Sequence, residues 1–367
     1  MKITAAIARN AHTEFTIESA ILDEPRADEV LVKIAGVGLC HTDLVARDQF
    51  IPIALPAVLG HEGSGHVERV GSAVTKVKPG DRVVVSFDSC GVCGNCRKHM
   101  PSYCCAFPMR NYSGSRSDGT TAIKIGDERV SSNFFGQSSF ASHALARERN
   151  VVKIDDTSLP LEILGPLGCG LQTGAGGVMR SMACPSGSSI AIFGGGPVGL
   201  AAVMGALIQG CSPIILVEPM ASRRKLALEL GAHHVIDPAE SDVIGRIREI
   251  APSGVDFAFE SSGREFVVQA ALASLGSRGL LGLVGVPPNP DSAVPVNLAS
   301  LITYGHRIHG IVEGDSDLDN FIPELIGHFR AGRFPFDKLI RTYPLERIND
   351  AATDQANGAC VKAVLIP

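Results

Sequence analysis

Four cysteines within fifteen residues, Cys90, Cys93, Cys96 and Cys104, follow the spacing C-x2-C-x2-C-x7-C. Random sequence seldom places four thiols so closely, and one metal ion can gather them only if the chain between them loops around it. A zinc ion with four thiolate ligands is saturated, so this segment is expected to be a structural lobe rather than a reaction centre. Cys105 adjoins Cys104 and is a second candidate for the last ligand.

At 367 residues the chain exceeds one ordinary core and fits two domains. Its net charge of −5 supplies no electrostatic reason to bind nucleic acid or an anionic membrane. The first 20 residues carry Lys2, Arg9, Glu14 and Glu18 with no continuous apolar run, which does not fit a secretory signal. Ten cysteines in so long a chain then point to metal or catalysis rather than disulfides, and to a reducing cytoplasm. Residues 181–217 contain no charge, a length that invites comparison with a membrane span. Pro185, Gly194, Gly195, Gly196, Pro197 and Pro213 break that run, so it reads as a buried strand–helix–strand unit.

The first 150 residues alternate β-branched and polar positions in short runs, at 29–35, 66–70 and 81–86, with glycine-rich turns between them. An antiparallel β domain interrupted by the cysteine lobe is expected there. From residue 188 the pattern becomes strand–helix alternation. Strands are expected at 188–193, 213–217, 233–236, 255–259 and 280–286, and helices at 198–209, 221–230, 242–250 and 265–275. Such alternation implies a parallel sheet covered on both faces, an α/β fold. Two further helices, at 318–331 and 345–355, and a last strand at 361–366 are expected to return to the first domain. The expected division is 1–170, with the lobe at 90–104, then 171–310, then 311–367 rejoining the first part.

The first strand of the alternating half runs into Gly194-Gly195-Gly196-Pro197-Val198-Gly199, a G-x-G-x-x-G turn opening a helix. Its glycines allow a tight turn, room for a pyrophosphate and close helix–strand packing, with the helix N-terminus facing the phosphates. The next strand ends at Glu218, nineteen residues beyond Gly199, where a carboxylate can accept from the adenosine ribose hydroxyls. A carboxylate there repels a 2′-phosphate, which favours NAD over NADP; Arg223 and Arg224 beside it pull the other way.

The phrases Gly38-Leu39-Cys40-His41-Thr42-Asp43, Gly60-His61-Glu62-Gly63 and Gly168-Cys169-Gly170 complete a resemblance that covers essentially the whole chain. The sequence resembles the zinc-dependent alcohol dehydrogenases of the medium-chain dehydrogenase/reductase superfamily. That resemblance implies a GroES-like antiparallel β catalytic domain and a Rossmann doubly wound coenzyme domain. It implies two zinc ions per subunit, a catalytic one on Cys40, His61 and Cys169 and a structural one on the four-cysteine lobe. The lobe's seven-residue gap selects Cys104 over Cys105. Alcohol dehydrogenase is also the standard example of a Cys2His catalytic zinc with an open position.

By the same resemblance Asp43 orients the histidine ligand, Glu62 approaches the metal from behind, and Thr42 touches the reacting oxygen and starts a proton relay. Where many relatives end that relay in histidine, this chain has Val45, which carries no proton. His41, usually a pyrophosphate contact, Arg47 and water are then the candidate outlets. Thr173, Gly194, Gly196, Pro197, Val198, Gly199, Glu218, Arg223, Val286 and Lys362 are the implied cofactor contacts, Lys362 reaching the pyrophosphate unless it faces solvent. Hydride transfer from an alkoxide held on zinc to NAD is the implied reaction.

Within the family the sequence is most similar to aryl-alcohol (benzyl-type) and allylic terpene-alcohol (geraniol-type) dehydrogenases, notably across 135–140, 164–174 and 334–340. Phe50, Phe87, Phe107, Phe134, Phe135 and Phe140 could together line an apolar slot for a flat ring or isoprenoid chain. A glutathione-adduct or formaldehyde-type enzyme, a broad-range aliphatic alcohol dehydrogenase, and a binding protein without catalysis are the competing readings. A homo-oligomer, dimer or tetramer, is implied by the lobe and by a strand near residues 307–312.

Overall fold

The computed structural model describes residues 1–240, 242–287 and 289–367. It divides into two compact units, one comprising Met1–Cys169, Asp317–Glu324 and Asp337–Pro367, the other Gly170–Ser316 and Leu325–Phe336. The chain beyond residue 310 is thus shared between them. Among the described residues no helix is long and apolar enough to cross a membrane. The uncharged run instead contains the strand Ile190–Phe193, the helix Pro197–Gln209 and the strand Ile214–Val217.

The first unit is built on a five-stranded and a seven-stranded sheet. At the centre of the larger lies Glu29–Gly38, buried along most of both faces and paired antiparallel with Gly63–Val70, His143–Arg147 and Lys362–Ile366. This strand outruns the expected 29–35 because two register shifts bend it past Gly36. The last strand enters with Val364 opposite Gly38 and Leu365 opposite Val37, which brings the C-terminus beside the segment carrying Cys40.

The second unit carries a six-stranded, wholly parallel sheet. In sequence order its strands are Ile190–Phe193, Ile214–Val217, His234–Ile236, Val255–Glu260, Leu275–Leu283 and Arg307–Gly310. Their spatial order, third-second-first-fourth-fifth-sixth, is that of a doubly wound dinucleotide fold, whose switch point lies between the first and fourth strands. Ala191, Phe193, Val217, Ala258 and Leu281 anchor its core, against which the helices Val243–Ile250 and Glu265–Ser274 lay their apolar faces. Gly199 cannot be replaced cheaply, since a Cβ there would stand 1.8 Å from the carbonyl oxygen of Gly194. The fifth strand begins at Leu275, five residues before the expected 280, because Gly276-Ser277-Arg278-Gly279 reads as a loop yet continues the strand.

A candidate metal centre and a dinucleotide turn

Cys40 ends the central strand's extension and caps the short helix His41–Arg47. Asp43, third in that helix, accepts the Cys40 backbone N–H through Oδ2 at 2.9 Å. Its other oxygen accepts the Gly60 N–H at 3.0 Å and meets His61 Nδ1 at 2.8 Å. One fully buried carboxylate therefore pins two distant chain segments and the imidazole between them. A carboxylate only accepts, so the ring proton sits on Nδ1 and the Nε2 lone pair points the other way. Nε2 is buried and has no hydrogen-bond partner among the described residues.

The ligand atoms of Cys40, His61, Glu62 and Cys169 lie within 4.8 Å of one another. Cys169 reaches the group from the 3-10 turn Gly165–Gly168, whose last carbonyl accepts the Ser86 hydroxyl. Cys169 first, and then the positive charge of the adjacent His61 and of Lys362, hold the Cys40 thiol well below the ordinary thiol range, against the burial that would raise it. Burial opposes a charged His61, but Asp43 and Cys40 outweigh it and its pKa stands well above the usual value. In the absence of metal His61 is thus held protonated at both nitrogens, and a cation beside the thiols would take the place of the Nε2 proton. Two thiols, that nitrogen and a surrounding preference for positive charge fit a divalent metal with mixed sulfur and nitrogen taste, as zinc has.

Glu62 stands behind this group. Burial pushes its carboxyl up to about 7 in spite of Lys362. The Lys362 ammonium is buried, 2.6 Å from Glu62 Oε2 and 2.9 Å from the Leu39 carbonyl. Lys362 thus corrects the expectation that it faces solvent: it is drawn inward because a desolvated carboxylate needs a counter-charge. Gly38 makes room for this pair, as a Cβ there would fall 1.9 Å from Glu62 Oε2. Thr42 Oγ1 lies 3.7 Å from Cys40 Sγ. Arg47 binds Asp48 with two hydrogen bonds of 2.7 and 2.9 Å and lies over the Phe15 ring, so its charge is already committed. His41 is exposed.

Gln137 escaped the sequence, and Phe135, expected only as one wall of an apolar slot, has a closer task. Gln137 donates to the carbonyls of His61 and Ser86 at 2.8 and 3.1 Å and accepts the Gly63 N–H, tying the histidine's strand to the next. Phe135, at a left-handed φ of 50°, stacks on the His61 ring with centroids 4.4 Å apart, while Phe134 meets it edge-on. Phe87, Phe107, Phe134, Phe135 and Phe140 are all buried, and Phe50 is half-buried. Four of them, Phe87, Phe107, Phe134 and Phe135, form a chain of ring contacts with Tyr112 and His61; Phe140 packs on Phe15. These rings buttress the imidazole more than they frame an open slot.

Asp43→Asn tests the pinning role. Asn keeps one acceptor oxygen but sets an NH2 donor against either the Cys40 N–H or the Gly60 and His61 N–H groups. This mismatch should lower kcat/KM or zinc affinity by about 10- to 100-fold. Steady-state rates together with bound zinc decide it, and a variant within threefold of the parent in both would exclude the role.

The lobe gathers Cys90, Cys93, Cys96 and Cys104, with Cys105 exposed outside the group. Cys90 and Cys96 sulfurs are 3.9 Å apart, close to the ~3.8 Å edge of a tetrahedron built on zinc–sulfur bonds of about 2.3 Å. Backbone N–H groups of Cys93, Cys90 and Ala106 point at the Cys90 and Cys104 sulfurs.

In the second unit Gly194 has a φ of 102°, and Gly196 and Pro197 open the helix whose N-terminus, with Val198 and Gly199, faces the turn. Glu218 is buried and accepts the Gly195 and Met220 N–H groups at 2.6 and 2.8 Å. A carboxylate offers about four lone-pair directions, so two remain for ribose hydroxyls. The Arg223 N–H bonds the Met220 carbonyl, and Arg224 donates to the Glu218 and Pro219 carbonyls at 2.8 and 2.7 Å while pairing with Asp237 at 2.7 Å. Val286 follows the fifth strand, its carbonyl closing on Gly263. Thr173 lies on the helix Gly170–Gly176, its hydroxyl directed at Glu313.

Residues 26–156 match the alcohol dehydrogenase GroES-like domain, and residues 197–327 the zinc-binding dehydrogenase family. The chain is 48% identical over 364 residues to geraniol dehydrogenase of Castellaniella defragrans, covering 99% of this chain and 97% of that one. The crystal structure of benzyl alcohol dehydrogenase from Acinetobacter calcoaceticus superposes with a TM-score of 0.96 at 41% identity, covering 100% and 99% of the two chains. An alcohol dehydrogenase zinc-binding domain protein from Burkholderia ambifaria gives 0.98 at 50% identity, with 100% and 99% covered. The chain belongs to the zinc-containing alcohol dehydrogenases of the medium-chain dehydrogenase family.

Proposed function

We propose that this alcohol dehydrogenase oxidises an aromatic or allylic primary alcohol reversibly to its aldehyde, using NAD and two zinc ions per subunit. The observation that carries the reading is the three-ligand group of Cys40, His61 and Cys169, with Asp43 turning the histidine lone pair toward the thiols. When bound, zinc supplies Lewis acidity toward a hydroxyl oxygen, and NAD supplies the hydride acceptor. Cys40, His61 and Cys169 would hold the catalytic ion, and the four-cysteine lobe the structural one. Thr42, beside Cys40, receives the substrate's hydroxyl proton as it passes its own to water, since Val45 cannot relay it and Arg47 is bound by Asp48. Gly194, Gly196 and the start of the helix Pro197–Gln209 hold the pyrophosphate, and Glu218 the adenosine ribose.

Full-length similarity to enzymes named for geraniol and benzyl alcohol supports the substrate class. Ten free cysteines suit a reducing compartment such as the cytoplasm. The strand Arg307–Gly310 edges its sheet with every residue exposed, near the exposed Leu298 and Ile302, and supports self-association there.

A kcat/KM panel over geraniol, cinnamyl alcohol, benzyl alcohol, ethanol and sorbitol, with each cofactor, tests this. Allylic and aryl alcohols should exceed ethanol and sorbitol by at least about tenfold, as one or more buried apolar groups allow. NAD should exceed NADP by about tenfold or more, from repulsion between Glu218 and a 2′-phosphate. Ethanol or sorbitol leading by an order of magnitude overturns the substrate class, and activity that requires glutathione selects the thiol-adduct alternative.

A further inference from the structure

Glu313 occupies a position that glycine would fill without strain. Its φ is 52°, and Gly314 and Asp315 follow at 66° and 53°. A left-handed, non-glycine residue is strained and persists only where its surroundings hold it, as they often do at functional sites. The side chain is buried, and its Oε2 receives Gln172 Nε2 at 3.2 Å and Thr173 Oγ1 at 3.4 Å. Gln172 is oriented in turn by the Ser316 hydroxyl, which donates to its Oε1 at 2.8 Å. Gln172 and Ser316 are completely buried, whereas Thr173 and Glu313 each keep 7% exposure, so the network opens to a ligand only at that end.

The direction of these bonds has a chemical consequence. A hydroxyl has one proton. Since Oε2 already accepts the amide N–H of Gln172, the Thr173 proton is the one that completes the contact. We propose that Glu313 is a positioning residue: by accepting the hydrogen bond of the Thr173 O–H it leaves that hydroxyl oxygen as an acceptor only, set for the carboxamide N–H of a nicotinamide cofactor. The inference rests on the reading of Thr173 as a cofactor contact.

The probe is 3-acetylpyridine adenine dinucleotide, in which a methyl ketone, an acceptor only, replaces the carboxamide. Calorimetric Kd values for it and for NAD give a discrimination ratio independent of turnover. The parent should favour NAD by about tenfold, the scale of one buried acceptor left without its donor. Glu313→Gly, which suits the backbone, frees the Thr173 proton to meet the ketone, and the ratio should collapse to within about twofold. Glu313→Leu serves if the glycine variant does not fold. Glu313→Gln keeps an acceptor oxygen and should restore the ratio. A ratio retained in Glu313→Gly, or lost in Glu313→Gln, overturns the proposal. Thr173→Val separates the two levels. Unchanged NAD affinity in that variant removes the cofactor reading of Thr173 itself, whereas weakened affinity beside an unaltered Glu313→Gly ratio removes only the role of Glu313.

Discussion

His61→Ala should lower kcat/KM for geraniol with NAD about a thousandfold or more, equivalent to about 4 kcal/mol of lost stabilisation at the reacting oxygen. It should also reduce bound zinc from two ions per chain to one. His61 offers the one nitrogen in the Cys40–His61–Glu62–Cys169 group. Without it two thiols remain, and Glu62 is tied to Lys362. The substitution also removes a completely buried ring on which Phe135 stacks, and a cavity of that kind costs about 3–5 kcal/mol. Loss of activity could therefore come from packing alone. Added imidazole separates the causes: it fits the vacated space between Asp43 and the thiols and should restore both the second zinc and part of the rate. A variant that keeps two zinc ions and near-parental rates would sink the three-ligand assignment.

What the chain discloses before folding is uneven, for physical reasons. The four lobe thiols, the strand–glycine turn–helix and Glu218 are legible because their spacing follows from covalent geometry and helix and strand repeats. Cys40, His61 and Cys169, by contrast, lie far apart in the chain and are legible only through the family resemblance. Alternation of strand and helix likewise places the parallel sheet to within a few residues, except where Gly276 and Gly279 disguise a strand as a loop. Supporting residues are not legible. Gln137 meets the His61 carbonyl across 76 residues and Glu313 meets Thr173 across 140, and no local pattern marks either partner. Lys362 is the sharpest case. A lone lysine reads as a surface group, and only the pairing of Leu365 with Val37 carries it inward to Glu62. The expected group of phenylalanines divides: Phe134 and Phe135 meet the imidazole of a ligand, Phe87 and Phe107 reach it only through Phe135, and Phe140 packs on Phe15, a division that hydrophobicity alone cannot announce.

Cys96→Ser should leave the other zinc in place and the rate constant at 10 °C within about threefold, yet shorten the half-life of activity at 45 °C by tenfold or more; each tenfold corresponds to about 1.4 kcal/mol off the unfolding barrier. Among the described residues from Gly91 to Tyr103 no hydrophobic side chain is buried, and Val92 is 66% exposed. The lobe has no core of its own. On the proposed reading its order comes from a bound zinc, whose binding to four thiolates contributes about 10–16 kcal/mol in comparable small zinc sites near pH 7. Without a cation the thiols divide: backbone N–H groups lower Cys90 and bring Cys93 down to about 5, whereas burial first, and the neighbouring thiols of Cys90 and Cys96, push the Cys104 thiol up to about 12. Its folded pKa lies above that of a free thiol, so without metal this group favours the folded lobe only while protonated, and that favour is lost as pH rises between the two values. Zinc reverses the sign by requiring the thiolates, so acid rather than alkali should release it. Metal release followed with a chromogenic chelator from pH 8 down to pH 5 should show the lobe ion leaving as thiols protonate, and leaving earlier in Cys96→Ser. Equal retention in both proteins across that range would mean that the four sulfurs do not share an ion.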